Sequence, residues 1–266
     1  MKNPKIMTNS PALDHRDRLS AFFLAFDLTV TLVHPEQNDA KVNLLVVGDA
    51  QGKPMSIHFF ARGMGERKAD EAVLVAANVH FGGSQNPLLN SLPQQLTLDI
   101  DEGSSLHAIA FAFVIEAGGC RCGRDVALER LCEVLVLMVL RAAIDQGASK
   151  AGVLAGLSHP ALYKAIVAIH NQPARPWRVE NLAELCGLSR SRFMTLFPKV
   201  VGITPSAYLT NWRLTLARRE LAKGERVKVV ANRVGFSSAE VFTRAYKRVY
   251  GQAPTEAPRA PPRSTA

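Results

Sequence analysis

Two clusters of side chains, 48 to 49 residues apart, carry the chemistry that this sequence offers. Arg190, Ser191, Arg192, Met194, Thr195 and Lys199 form the first. Ser238, Ala239, Glu240, Thr243, Arg244, Lys247 and Arg248 form the second. Cationic groups neutralise phosphate oxygens, while hydroxyls and the arginine fork hydrogen-bond base edges. The mixture therefore suits contact with a nucleic acid: Arg192, Lys199, Lys247 and Arg248 to phosphates, and Ser191, Met194, Thr195 and Arg244 to bases. A local reading competes at the second cluster. Ser237 with Glu240 has the spacing of a capping box, and Glu240 with Arg244 that of a helical ion pair. Other chemistries lack their motifs: the chain has no G-x-S-x-G, no P-loop, no HExxH and no C-x-x-C.

These residues are positioned by a duplicated unit. Ala183-Glu184-Leu185-Cys186-Gly187-Leu188-Ser189 is followed by Phe193, Phe197, Gly202 and Thr204-Pro205. Ala231-Asn232-Arg233-Val234-Gly235-Phe236-Ser237 is followed by Phe242, Tyr246, Gly251 and Ala253-Pro254. Each copy reads as helix, glycine turn, helix. Ser189 suits an N-cap, and Phe193, Leu196, Phe197 and Val200 recur at the spacing of one buried helical stripe. Phe242, Ala245, Tyr246 and Val249 repeat that stripe in the second copy. Ser191 and Thr195, or Glu240 and Arg244, then fall on the opposite face. Gly202 and Gly251 suit helix C-termini. Between the copies, Thr204 caps a helix with Pro205 in its first turn, and no helix breaker follows before Gly224. One rigid helix would hold two recognition helices for successive major grooves, about 34 Å apart on one DNA face.

With these residues the chain strongly resembles the AraC/XylS family of transcription regulators. Trp177, Leu182-Ala183, Gly187-Leu188-Ser189, Tyr208-Leu209, Trp212-Arg213, Ala217, Val234-Gly235-Phe236 and Arg244-Ala245-Tyr246-Lys247-Arg248 carry the likeness, with the phenylalanines and glycines above. The resemblance implies a sequence-specific DNA-binding regulator, commonly an activator, and no enzyme. It implies promoter DNA, RNA polymerase and an unknown small-molecule effector as partners, with no cofactor.

Charge agrees with this placement. Residues 1–160 hold 14 Lys/Arg and 17 Asp/Glu, a balance of −3, whereas residues 161–254 hold 16 and 5, a balance of +11. A basic excess confined to the duplicated unit is the footprint of a phosphate-contacting module. A fragment of residues 160–256 is expected to fold alone and to bind DNA with steep salt dependence. Four cysteines are too few for a secreted disulfide framework, and no 18-residue stretch is continuously apolar. A cytoplasmic protein without a membrane span or signal peptide is expected.

The fold class expected is α+β in two domains. Residues 1–18 and 255–266 read as disordered, 19–155 as a cupin-like effector-binding and dimerisation domain, and 156–254 as the DNA-binding domain. Short apolar segments at Leu28–Val33, Val42–Val47, Met55–Phe60, Ala72–Phe81 and Gln95–Ile100 are separated by turn signals and suggest a β-sandwich or barrel. Asn86-Pro87-Leu88-Leu89 with Leu92-Pro93, and Leu128-Glu129-Arg130-Leu131 with Leu140-Arg141, resemble the cupin-like domain of one branch of the family, which implies a barrel. His34, His58, His80 and His107 are dispersed, with no HxH, so no metal centre is expected. Leu106–Ile115 suits a helix or a strand. Leu128, Leu131, Leu135, Met138 and Ala142 make a helical stripe that either packs on the barrel or forms a homodimer seam over residues 125–145. Cys120 and Cys122 offer a redox-responsive alternative, although cysteines two apart bridge poorly in regular structure. A cupin-type enzyme fused to a DNA-binding module is the remaining alternative.

Overall fold

The computed structural model describes residues 17–33, 42–61, 72–82, 86–147 and 151–257. A short helix, α1 (Ser20–Ala25), opens the described chain, followed by β1 (Leu28–Val33), β2 (Leu44–Gly48), β3 (Pro54–Phe60) and β4 (Ala72–Phe81). Helix α2 (Pro87–Ser91) precedes β5 (Gln95–Asp99). Among the described residues the strands form one open antiparallel sheet in the order β1-β4-β2-β3-β5, not the closed barrel expected. Residues 1–16 and 258–266, expected to be disordered, and His34 lie outside the described residues.

Burial explains which strand is where. Central β2 buries Leu44, Leu45, Val46 and Val47 in succession, as a strand covered on both faces must. Edge strand β5 alternates, with Leu96 and Leu98 inward and Gln95, Thr97 and Asp99 outward. Against one face lie α3 (Ser105–Gly118) and α4 (Arg124–Asp145), packed on each other. The ambiguous segment at Leu106 is thus helical. Ser104 accepts the amide of His107 at 3.1 Å, and the 14-residue length exceeds an ordinary strand. In α4, Leu128 and Leu135 of the expected stripe are buried in the core, while Leu131 and Ala142 pack at its margin. That stripe faces inward, so it is not available as an exposed seam.

The second half is helical: α5 (Val153–Ser158), α6 (Tyr163–Asn171), α7 (Val179–Leu185), α8 (Arg190–Val201), α9 (Pro205–Ala222), α10 (Val227–Arg233) and α11 (Ala239–Tyr250). Helix α9 is buried on two sides. Tyr208 and Trp212 enter the core of the first unit, and Leu214, Ala217 and Leu221 enter that of the second. Phe242, Ala245 and Tyr246 of α11 complete the second core, which is separate; the first unit's core is continuous with that of the N-terminal domain. Phe22 of α1 reaches across, with its ring 4.8 Å from His170 and 5.1 Å from Trp212.

The described residues make specific contacts at three of the expected boundaries. Asp17 and Arg18 are ordered: Asp17 Oδ1 caps α1 through the Ser20 amide at 2.9 Å, and Arg18 donates to the Leu157 carbonyl at 2.8 Å. Residues 255–257 continue the fold, because Pro254–Glu256 form a 3-10 turn with Pro254 buried and Glu256 accepting the Ala253 amide at 2.9 Å. Helix α5 spans the expected boundary at 156 and packs on α6 and α8 as well as on α2 and α4. An added Cβ on Gly156 would lie 2.5 Å from Ile166 and 2.9 Å from Val201.

Candidate nucleic-acid interface

Helices α8 and α11 are built alike. Ser189 accepts the amide of Arg192 at 3.3 Å, and Ser238 accepts that of Val241 at 3.3 Å. Each helix runs 12 residues and ends at a left-handed glycine, Gly202 or Gly251. Phe193 and Phe197 are buried under α8, as are Phe242 and Tyr246 under α11. Their outer faces carry the expected residues. Arg190, Ser191, Arg192, Met194, Thr195 and Lys199 are exposed, as are Glu240, Arg244, Lys247 and Arg248; Ser238, Ala239 and Thr243 are half-buried.

Several of these side chains already have local work. The N-cap of α11 is Ser238, not Ser237, so the capping spacing was misread by one residue. The Ser238 hydroxyl holds the Glu240 carboxyl below the usual carboxylate range, with Arg244 and Lys228 adding attraction. Thr243 donates to the Ala239 carbonyl at 2.7 Å, and Thr195 to the Ser191 carbonyl at 3.1 Å. Such hydroxyls keep acceptor capacity while their hydrogens are engaged. Arg190 pairs with Glu180 of α7 at 2.8 Å. Among the described residues Arg192, Lys199, Arg244, Lys247 and Arg248 form no ion pair within 4.0 Å, so their charge is free for a polyanion. Glu240 and Arg244 therefore attract each other without closing the pair that their spacing allows.

The relative placement of the two units has a covalent and a packed part. Arg213 of α9 donates through Nε to the Pro173 carbonyl at 2.7 Å and through Nη2 to the Arg175 carbonyl at 2.9 Å. Burial lowers its pKa, and the two carbonyls compensate the lost water. The clamped loop then meets the second unit. A Cβ added to Gly235, whose φ is +91°, would stand 2.6 Å from Ala174 Cα. Its counterpart Gly187 has φ +65° and open space around it. The residues that fix the unit spacing were missed in the sequence, because Arg213 was read only as part of a family pattern. Lys228 was missed as well. It sits on α10 and, with Asn232, Ser237 and Glu240, lines a cleft before α11.

Elsewhere, Cys120 and Cys122 are exposed free thiols in the turn between α3 and α4. His58 is buried between Ser56 and Gln95, at 3.1 and 3.4 Å. Among the described residues no three His, Cys, Asp or Glu side chains are grouped to hold a metal ion. Likewise no described helix is long and apolar enough to cross a membrane.

Comparison with known proteins gives two family matches: a helix-turn-helix domain over residues 182–260 and a cupin domain over residues 20–145. The chain is similar to the HTH-type transcriptional regulator AlkR of Acinetobacter baylyi, 33% identical over 227 residues, covering 83% of this chain and 74% of the relative. It is also similar to the RCS-specific HTH-type transcriptional activator RclR of Escherichia coli, 30% identical over 193 residues, covering 70% of this chain and 68% of the relative. Two further relatives are matched over 60% and 63% of their own length. Among solved structures, an AraC-type transcriptional regulator from Chromobacterium violaceum is 27% identical with a TM-score of 0.35, covering 37% of this chain and 88% of that one.

Proposed function

This chain belongs to the AraC family of DNA-binding transcription regulators, with a cupin domain on its N-terminal side, and from that premise we propose how it reads a promoter. Helices α8 and α11 enter successive major grooves on one face of the duplex. Arg244 reads a guanine, Ser191, Met194 and Thr195 lie near bases in the neighbouring groove, and Arg192, Lys199, Lys247 and Arg248 neutralise phosphates. The observation that carries this reading is the pair of exposed, alike-capped helices held by one clamped linker helix. The +11 balance of residues 161–254 supplies the attraction.

The N-terminal domain senses a small uncharged or charged effector and joins two copies, and the protein activates transcription in the cytoplasm through RNA polymerase. For the homodimer we favour the outer face of the α3–α4 hairpin. The α4 stripe is spent in the core, whereas Phe111 and Ile115 of α3 are 46% and 45% exposed, with Ala108 and Ala112 beside them. Selection from a random duplex pool by the full chain tests the reading. Recovered sites with two groups of fixed bases about one helical turn apart support it. A pool that shows no enrichment contradicts it.

A further inference from the structure

The junction between the domains holds a cleft of about 610 Å³. Its walls come from every part that a signal would have to join. Ser91 of α2 belongs to the N-terminal domain, and Gly152 to the segment entering α5. Asn211 and Trp212 belong to the linker helix α9. Ile203 follows the glycine that ends α8, and Tyr250 is the last residue of α11. The ends of both recognition helices and the effector domain thus meet around one space, of a size that suits a small organic ligand.

The chemistry of the wall narrows the occupant. None of the 14 lining residues among the described residues is charged, although the surrounding half of the chain is strongly basic. An ionised ligand would lose hydration there without a counter-charge in the wall. Most polar groups are already used. Ser91 Oγ donates to the Pro87 carbonyl at 2.6 Å and accepts the Val153 amide at 3.0 Å. Tyr208 is bonded to His170 at 2.7 Å, and Thr215 to Tyr250. One group remains open to the cleft. The exposed amide of Asn211 makes no hydrogen bond among the described residues. The indole ring of Trp212 adds an aromatic wall, its N–H being buried out of reach.

We propose that this cleft is a binding site for an uncharged, largely apolar ring-bearing molecule with a hydroxyl, carbonyl or amide group. Its occupancy sets how the two helix-turn-helix units are held against the N-terminal domain, and hence DNA affinity. The effector reading given above is the basis of this site and is deepened by it. A larger space of about 900 Å³ lies between the sheet and the α3–α4 hairpin, but Arg124, Asp125 and Glu129 line it and no residue of the DNA-binding units does. It lacks both the uncharged wall and the direct link to the reading helices.

The test uses 2-naphthol as probe, its anion-bearing analogue 2-naphthoate as control, and the full chain with a duplex selected from a random pool. Calorimetry should show 2-naphthol bound at least about tenfold more tightly than 2-naphthoate. Asn211→Phe, at an exposed position where the fold is not at stake, should weaken 2-naphthol by about tenfold or more. Thr31→Trp, at the sheet-side space, should leave it unchanged. By linkage, saturating duplex should change the 2-naphthol Kd by the same factor that 2-naphthol changes the duplex Kd, and that factor should differ from one. Equal binding of the two naphthalenes, an unmoved Kd in Asn211→Phe, or a factor of one would each overturn the proposal. A chain that binds its selected duplex but no 2-naphthol overturns this site and leaves the regulator reading intact. A chain that prefers no duplex strikes the regulator reading itself.

Discussion

Cutting the chain at residue 160 should unfold half of the DNA-binding domain. A fragment of residues 160–257 lacks α5, which places Val153, Leu154 and Leu157, at 3%, 0% and 0% exposure, in the core that the first unit shares with the N-terminal domain. Burial of each such side chain contributes about 1.5–3 kcal/mol, so at most roughly 4.5–9 kcal/mol is lost, the share that α6 and α8 provide. A domain of this size holds only about 5–15 kcal/mol in all. A fragment of residues 152–257 keeps the packing of α5 on α6 and α8, and forfeits its packing on α2 and α4, the Val153–Ser91 hydrogen bond, the Arg18 contacts with Leu157 and Tyr163, and the contact of Phe22 with His170 and Trp212. The shorter fragment should keep the second unit, whose core is its own, and lose cooperative structure in the first. Thermal unfolding and amide spectra of both fragments make the measurement. At about 4–8 °C per kcal/mol, the longer fragment should melt several degrees or more higher. Equal midpoints with fully dispersed spectra would refute the shared-core argument.

Three further outcomes follow from particular residues. Burial pushes the pKa of His170 from the usual 6.5 down to about 3, so it stays neutral in the folded chain while the unfolded chain takes up a proton. Stability should be full above pH 6.5 and fall as pH drops below it, by at most about 1.4 kcal/mol per pH unit, and His170→Gln should remove that slope between pH 6.5 and 5 in denaturant titrations. Gly235→Ala should cost about 2 kcal/mol or more, because Ala174 backbone blocks its Cβ, whereas Gly187→Ala should cost only about 1–2 kcal/mol of left-handed strain; equal costs would show that the clamped loop does not fix the second unit. Lys199→Ala should weaken binding to every duplex alike and reduce the salt slope by about 1, as a phosphate contact does, and a loss confined to certain base pairs would reassign it.

The duplicated units were legible because their signals are local. Periodicity, a capping serine and a glycine turn specify α8 within about 15 residues, and the same signals recur at α11. The outward placement of Ser191, Thr195 and Arg244 followed from helical geometry alone. What escaped depends on distant partners. Nothing in Val153–Ser158 announces that it packs under α8, since six residues carry too little periodicity. The clamp from Arg213 to Pro173 and Arg175 spans about 40 residues and has no motif. Ser238 displaced Ser237 as the cap because either serine satisfies the local pattern, and only packing selects between them. The open sheet has the same cause: strand segments were visible at nearly their observed limits, but whether β1 and β5 meet is a matter of tertiary pairing.

The central claim is that both units read sequence from a single duplex. Its most direct measurement is binding of the wild-type chain, Arg244→Ala and Thr195→Ala to the selected duplex substituted at every position. Arg244 forms no ion pair among the described residues and can donate twice to a guanine, so its loss should cost about 1–3 kcal/mol and relax preference at one or two base pairs. Thr195, with its hydroxyl hydrogen engaged by Ser191, should have a smaller effect at positions about one helical turn away. Uniform weakening across all substituted duplexes by Arg244→Ala, with no position answering to Thr195→Ala, would contradict reading by two units.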